Sequence, residues 1–388
     1  MHFCDVFSGA GGFTLGLESV GFRCAGAIER DDFACSTYRA NFPGHCLIQD
    51  DVTGLSKRAI RAHFGGVELL VGGPPCQGYS VAGPAQYGQI DNRNNLLFEM
   101  VRLAAVLRPR LCVVENVKGL LSGRIPGGGP AFSALVAAFR EQQYHTEAFV
   151  LQAADFGVHQ WRERVFVIAA RDRHMLPRYF RRCFGTSARP YRTVWDALSD
   201  LPQVTPGEGE DSSVPYPRAA RNSYQALMRR GSNGVSNHVA MKHTPRLIAR
   251  FKHIPVGGSL VDVPAQFGQR VRNGTTVDVR QRFKMNNQRL DPDRISTAIT
   301  ASFQSNFVHP HLHRNLTARE GARLQSFPDR FVFCGPRTLM SKTLLKREGR
   351  HAEIGLSQYN QIGNAVPPLL AAAVGRGIGA VGELRDAI

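Results

Sequence analysis

Three places in this 388-residue chain gather side chains able to do chemistry. The first is Cys76, within Val71-Gly72-Gly73-Pro74-Pro75-Cys76-Gln77-Gly78-Tyr79-Ser80. The apolar run Glu68-Leu69-Leu70-Val71 stops there at two glycines and two prolines, which reads as a strand ending in a rigid turn. Each proline fixes its own φ and biases the residue before it toward extended geometry, so the thiol sits on a stiff arm. An ionised thiol in that place is a nucleophile; a buried one is only a small apolar side chain. The second place is Glu115, delivered at the end of the apolar run Cys112-Val-Val. A carboxyl at such a rim is partly desolvated, which raises its pKa toward the range of a general acid, although a structural Glu can be buried in the same way. The third is Gln160-Trp161-Arg162-Glu163-Arg164. Arginines at i and i+2 of an extended segment project to one side, either toward a site or into an ion-pair cluster with Glu163.

The elements that must position these groups follow from periodicity. Strand-like runs at His2–Phe7, Arg23–Ile28, Glu68–Val71, Leu111–Glu115 and Arg164–Ala170 alternate with helical stretches at Phe13–Val20, Asp31–Asn41, Asn94–Leu107 and Ala131–Gln143. That alternation predicts an α/β fold, a mostly parallel sheet covered on both faces. Open sheets of this kind carry their chemistry at the carboxyl ends of the strands. The first turn, Asp5-Val-Phe7-Ser8-Gly9-Ala-Gly11-Gly12-Phe13, is glycine-rich, and glycines let a backbone approach a ligand. Twenty residues after Gly9, Glu29 ends the second strand, placed to accept hydrogen bonds from ribose hydroxyls. The spacing departs from Gly-x-Gly-x-x-Gly, and no basic residue follows to favour a nicotinamide phosphate. Asp91-Asn-Arg93-Asn-Asn-Leu96 opens a helix with good capping residues.

Composition narrows the classes. The eight cysteines contain no Cys-x-x-Cys pair, so neither a zinc ribbon nor a dithiol site is expected, and a reducing cytoplasm is the simplest setting. No apolar run is long enough to span a membrane, and the chain opens on a strand-like segment rather than a signal peptide. Of the net charge of +17, Arg171–Leu290 carries +13, with 21 Lys and Arg against 8 Asp and Glu. Charge gathered in one segment reads as a polyanion-binding face, nucleic acid first, and the excess of Arg favours bidentate contacts. From Leu176 to Leu290 the periodicity fades, and Thr205–Pro217 reads as a flexible, locally acidic loop. His238, His243 and His253 lack a metal-ligand spacing, and His309, His311 and His313 read as alternating positions of a strand, so no metal is expected.

Gly73-Pro74-Pro75-Cys76-Gln77 resembles the nucleophile loop of the cytosine-specific DNA (C5) methyltransferases. Further pieces of that family's motif set occur in order from Asp5 to Pro368, covering nearly the whole chain apart from the middle segment. They include Glu115-Asn-Val, Gln160-x-Arg162-x-Arg164, the stretches Arg294–Thr300 and Thr317–Pro328, and Gln361-Ile-Gly363-Asn364-Ala365-Val366-Pro367-Pro368. Thr317-Ala-Arg-Glu320 is also a capping box, predicting a helix to Pro328, whereas the basic Arg337–Ala352 reads as a loop. An Ala-rich helix follows over Leu369–Val381.

The resemblance implies a Rossmann-like, S-adenosyl-L-methionine-dependent methyltransferase domain from 1–175 together with 357–388. It implies a smaller, irregular domain over 176–356, whose target-recognition region is about 176–290. The cofactor would be held by Phe7, Ser8, Gly9, Gly11, Gly12, Glu29, Asp51, Val52, Pro75, Leu96, Asn364, Ala365 and Val366, with Asp50 a solvated neighbour. Cys76 would add to C6 of a flipped-out cytosine in double-stranded DNA, Glu115 would act at N3, and Arg162 and Arg164 would orient the base. The implied protein is a monomer in a bacterial cytoplasm, meeting the nucleoid through DNA. Its implied role is DNA methylation or restriction-modification, with any cognate restriction endonuclease acting separately. Two alternatives differ in signature. The transfer-RNA branch of the family carries Cys-Phe-Thr, which Cys183-Phe184-Gly185 does not reproduce, and a silent DNA-binding relative has no need of Cys76, Glu115 and both arginines.

Overall fold

A computed structural model describes residues 1–75, 96–124, 129–268, 286–337 and 342–386. The chain divides into two compact units. One comprises Met1–Gly157, Arg162–Gly185 and Ala365–Ile388; the other comprises Val158–Trp161 and Thr186–Asn364.

The first unit is built on seven strands: β1 (His2–Val6), β2 (Arg23–Glu29), β3 (Leu47–Gln49), β4 (Leu69–Gly72), β5 (Leu111–Asn116), β6 (His145–Gln152) and β7 (Glu163–Ala170). Their order is β3-β2-β1-β4-β5-β7-β6, parallel except for β7, which runs antiparallel to both of its neighbours. The mostly parallel α/β sheet is therefore as expected. β4 and β5 are buried along their whole length, which is why they read as unbroken apolar runs rather than alternating ones. Between the strands run α1 (Gly12–Glu18), α2 (Asp32–Asn41), α3 (Lys57–Phe64), α4 (Leu96–Leu107) and α5 (Ala131–Glu141). One continuous core takes Leu70, Val114 and Val167 from the sheet with Ile60, Met100 and Phe139 from the helices. The C-terminal helix Pro368–Asp386 returns to this unit and packs on α1 so closely that a Cβ at Gly16 would collide with Pro368 O and Ala371.

Among its described residues the second unit has no comparable sheet. It contains α6 (Val194–Leu198), α7 (Ser223–Arg229), α8 (Pro245–His253), α9 (Phe303–Asn306), α10 (Ala318–Leu324), α11 (Lys342–Arg347) and α12 (Gln358–Asn364). Its described strands, β8 (Gly209–Glu210), β9 (Val214–Pro215), β10 (Gly234–Val235), β11 (His238–Val239), β12 (Gln288–Arg289) and β13 (Phe307–Val308), form three two-residue pairs. The capping box is present: Thr317 Oγ1 accepts from Glu320 N, and Glu320 Oε2 accepts from Thr317 N.

Several expectations are corrected. α10 stops at Leu324, because Ser326 adopts φ 68° and Ser326 N and Phe327 N turn back to Arg323 O and Ala322 O in a Schellman closure. Residues 342–347 within the supposed basic loop are helical. Thr205–Pro217 is tied down by β8 on β11 and β9 on β10. His309 to His313 do not alternate on a strand; the chain turns around the His309 ring, whose Nδ1 accepts from His311 N and Leu312 N. β3, β6 and α3 were not anticipated. Among the described residues, no helix is long and apolar enough to cross a membrane.

Candidate active site

The glycine-rich turn between β1 and α1 is held open by its own backbone. Phe7, Gly9 and Gly11 all have positive φ, 58°, 54° and 92°. Gly11 N returns to Ser8 O, and Ser8 N reaches Ile28 O in the neighbouring strand. Underneath, Asp5 accepts from Thr14 N at 3.2 Å and Thr14 Oγ1 at 2.7 Å. Burial outweighs those bonds and pushes the Asp5 carboxyl up to about 7. Glu29, at the end of β2, accepts from Gly9 N at 2.9 Å with one oxygen and from Arg30 N and Asp31 N at 2.8 Å with the other. That leaves lone-pair capacity on the oxygen facing Gly9.

Two details leave polar and steric room at this turn. Ser8 Oγ is buried without a hydrogen-bond partner, and a Cβ built on Gly9 would meet nothing within 4 Å. A hydroxyl left unsatisfied beside open space suits a polar ligand lying along the loop. Asp51 caps the 3-10 turn Val52–Gly54, accepting from Thr53 N at 3.0 Å and Arg30 Nη1 at 2.8 Å. Those Thr53 bonds, then Arg30, hold its carboxyl below the usual range. Asp50 is exposed and accepts from Asp51 N. Val52 and Leu96 are buried in the core, Phe7 packs against it, and Pro75 is exposed. Val366 is buried, and Ala365 is half-buried.

The strand end that leads toward Cys76 is gripped from β5. Asn116 Nδ2 donates to Pro74 O at 3.2 Å while its Oδ1 accepts from Val117 N at 2.8 Å. A Cβ at Gly73 would lie 3.3 Å from Glu115 Oε2, so the glycine leaves the carboxylate room at the turn. Cys76 itself lies outside the described residues. Glu115 pairs with Arg164, Oε1 to Nε 2.9 Å. Burial raises the Glu115 pKa, opposed by the charges of Arg164 and Arg162. Arg162 is buried too, and its Nη2 donates to Ala365 O at 3.2 Å. Glu163 points away and meets Lys118 at 3.1 Å, so the cluster that the spacing left open forms with Glu115 instead. Asn116 and Gln152, whose Oε1 accepts from Arg162 N, were not singled out from sequence. Only Asn116 had a signal, its place in Glu115-Asn116-Val117.

In the second unit, Asn364 ends α12 and is exposed. The Gln160 side chain donates to Leu324 O and Gln325 Oε1 and accepts from Ile299 N, all within 2.9 Å. The histidines here have structural partners. His238 bridges Thr317 Oγ1 and Pro202 O, His243 accepts from Asn315 N, and His253 stacks on Phe267.

The family model for C-5 cytosine-specific DNA methylases matches residues 1–380. The chain belongs to that family. It is a DNA (cytosine-5-)-methyltransferase whose methyl donor is S-adenosyl-L-methionine, working by the covalent cysteine adduct general to these enzymes. It is 40% identical to the Type II methyltransferase M.DdeI of Desulfomicrobium norvegicum over 375 residues, 96% of this chain and 87% of that protein. It is 34% identical to the Type II methyltransferase M1.HphI of Haemophilus parahaemolyticus, over 97% and 86% of the two chains. A crystal structure described as a DNA modification methyltransferase encoded within an Escherichia coli prophage superposes with a TM-score of 0.72 at 24% identity, covering 99% of both chains.

For a DNA methylase the basic segment invites a phosphate-binding reading, yet part of its charge is used inside the protein. Arg289 and Arg250 are buried, and Arg229 pairs with the buried Asp200. Arg218, Arg221 and Arg230 are exposed. The electrostatic face is therefore smaller than the count of arginines suggests.

Proposed function

We propose that Cys76, Glu115, Arg162 and Arg164 carry the methyl transfer in this enzyme. The observation that supports this most is the pair between buried Glu115 and half-buried Arg164 beside Gly73, with Arg162 close enough to influence the same carboxyl. C5 of cytosine is a poor nucleophile until C6 is attacked. The Cys76 thiolate forms a bond to C6, and the electron pair displaced toward C5 makes that carbon nucleophilic. Glu115, its pKa raised by burial, donates a proton or hydrogen bond at N3 as charge develops there. Arg162 and Arg164 orient the ring and balance that charge. S-adenosyl-L-methionine, when bound, supplies an electrophilic methyl group on sulfonium sulfur. Loss of the C5 proton then expels Cys76 and restores the aromatic ring. The Ser8 hydroxyl, the Gly9 backbone and the free capacity of Glu29 would hold the cofactor, with Phe7, Gly11, Gly12, Asp51, Val52, Pro75, Leu96, Asn364, Ala365 and Val366 around it.

Residues 1–175 with 357–388 would be the catalytic domain, and 176–356 the domain that reads the DNA site. The two compact units divide the chain differently, with 158–161 and 357–364 in the second and 176–185 in the first. Because a stacked cytosine hides both faces, the base must be flipped out, at a cost of a few kcal/mol. The Type II relatives support a role in restriction-modification. The enzyme would act as a cytoplasmic monomer, with any endonuclease acting separately. The test is DNA containing 5-fluorocytosine. Fluorine cannot leave as a cation, so enzyme and DNA should stay joined through Cys76, only when cofactor is present, and Cys76→Ser should form no adduct. An adduct mapping to another cysteine would sink these assignments.

A further inference from the structure

A cavity of about 660 Å³ lies wholly within the second unit, lined by Trp161, Tyr191, Val256, Asp291, Asp293 and Arg294 among others. Its walls are stretches of chain hydrogen-bonded to one another. Trp161 N donates to Ser296 O at 2.8 Å, and Ser296 N to His159 O at 3.1 Å. Val194 N donates to Arg294 O at 2.8 Å, and Gly257 N to Arg289 O at 3.1 Å. The neighbouring Gln160 is locked by its three side-chain bonds, so the wall carrying Trp161 is preorganised.

Inside this rigid frame, large apolar side chains are left in water. Trp161 is 39% exposed and Val256 56% exposed, two of five such residues among those described. A cavity that gathers exposed apolar surface marks a place for a ligand. Trp161 is steadied by Tyr191, the rings meeting edge to face at 4.7 Å. At the rim the Arg294 side chain is 82% exposed and pairs with Asp291 at 3.4 Å. Asp291 also accepts from Asp293 N, and Gln288 Oε1 accepts from Thr297 Oγ1 at 3.4 Å. An aromatic platform with hydrogen-bonding groups at its rim matches a flat, polar-edged ring.

We propose that Trp161 and Tyr191 form a stacking site for a nucleobase of the DNA substrate other than the target cytosine. This rests on the second unit being the part that reads DNA. Trp161 immediately precedes Arg162 in the chain. Nothing in the recognition segment 176–290 includes Trp161, Asp291 or Arg294, so site reading would extend beyond that segment.

The chain has only two tryptophans, Trp161 and Trp195, so Trp195→Phe leaves Trp161 as the sole indole. That variant is titrated with sheared genomic DNA from a host lacking 5-methylcytosine, with binding followed separately by anisotropy of labelled fragments. Trp161 emission should be quenched as the DNA saturates. In the otherwise natural chain, Trp161→Ala should weaken DNA binding at least about fivefold, the low end for one stacked base, while Trp161→Phe stays within about twofold. Cofactor affinity should be unchanged in both. If Trp161→Ala does not fold, the emission titration and Trp161→Phe decide the matter. Unchanged emission at saturation, or full affinity in Trp161→Ala, overturns the stacking site while intact methylation leaves the broader reading standing. Failure of the unaltered chain to bind or methylate any DNA overturns both.

Discussion

The two units solve the same problem, how to satisfy backbone polar groups away from water, by different means. In the first, seven strands pair along a continuous ladder, and the interior between sheet and helices is apolar. In the second, the described strands are two residues long, so most carbonyls have no ladder to join. Buried arginines take that place. Arg289 donates to Ile254 O, Phe251 O, His309 O, Pro310 O and Leu312 O. Arg319 reaches Ser236 O, Pro328 O and Phe331 O, and Arg314 reaches Val204 O and Asn315 O while pairing with Glu320. A guanidinium has five donors in a fixed fork, enough to tie several loops at one point. An irregular domain can thus be ordered without a sheet, at the cost of depending on a few charged contacts.

The sharpest break of this contrast is Glu320→Ala. It removes the capping box and leaves Arg314 buried without its carboxylate, a change that costs about 3–5 kcal/mol. Both tryptophans lie in the second unit, so their emission during urea unfolding reports that unit alone. A loss below about 1 kcal/mol would mean that the arginine lattice is ornamental. The sign with pH is also set. Burial raises the Glu320 pKa, but the Arg314 charge and hydrogen bonds outweigh it and hold the carboxyl below its unfolded value, so its contribution is complete above about 4.5 and is lost as the pH falls.

The first unit should respond in the opposite direction. Asp5 is raised from 3.8 to about 7, so its proton stabilises the fold below about 4, and that contribution disappears as the pH climbs through 7. The shift sets a ceiling of about 4 kcal/mol. Asp5→Asn, which cannot ionise, should be more stable relative to the natural chain at pH 8 than at pH 4. Thermal unfolding followed by far-ultraviolet circular dichroism across that range would show it, and parallel pH profiles would refute it.

The contrast also explains what could be read from the residues alone. β1, β2, β4, β5 and β7 were legible because each is a short apolar run, most plainly in β4 and β5, which are buried along their whole length. β6 was missed because His145–Gln152 is a half-exposed edge strand with mixed residues, and β3 because it is only three residues long. Glu115, Arg162 and Arg164 could be named from type and spacing, and the structure brings them together. Their partners could not, since the bond from Asn116 to Pro74 O joins residues 42 positions apart. In the second unit the basic composition was visible, but nothing local distinguishes Arg289, which is buried, from Arg221, which is exposed. Only tertiary packing decides which arginines face inward.

A smaller effect probes that lattice without removing charge. Arg289→Lys keeps the cation but cannot span five carbonyls, and several buried acceptors lose their donor. A loss of about 1–3 kcal/mol is expected in the same urea experiment, confined to the second unit. A lysine that supports full stability would show that the charge, rather than the fork, is what the site requires.

The slightest effects should appear in DNA binding, where inward and outward arginines can be told apart by salt. Counterion release gives log K against log[salt] a slope of roughly −0.9 per phosphate neutralised. Contacts to some 6–10 phosphates would give the natural chain a slope between about −5 and −9. Arg218, Arg221 and Arg230 are exposed, so changing all three to Gln should reduce the magnitude by about 2–3 if each meets a phosphate. Arg250 donates to Phe267 O and Gly268 O and is buried, so Arg250→Gln should weaken folding yet leave the slope unchanged in the folded fraction. A flat slope for the natural chain would mean that the basic segment turns away from DNA. An equal reduction in both variants would mean that burial does not separate the arginines that hold this unit together from those that hold its substrate.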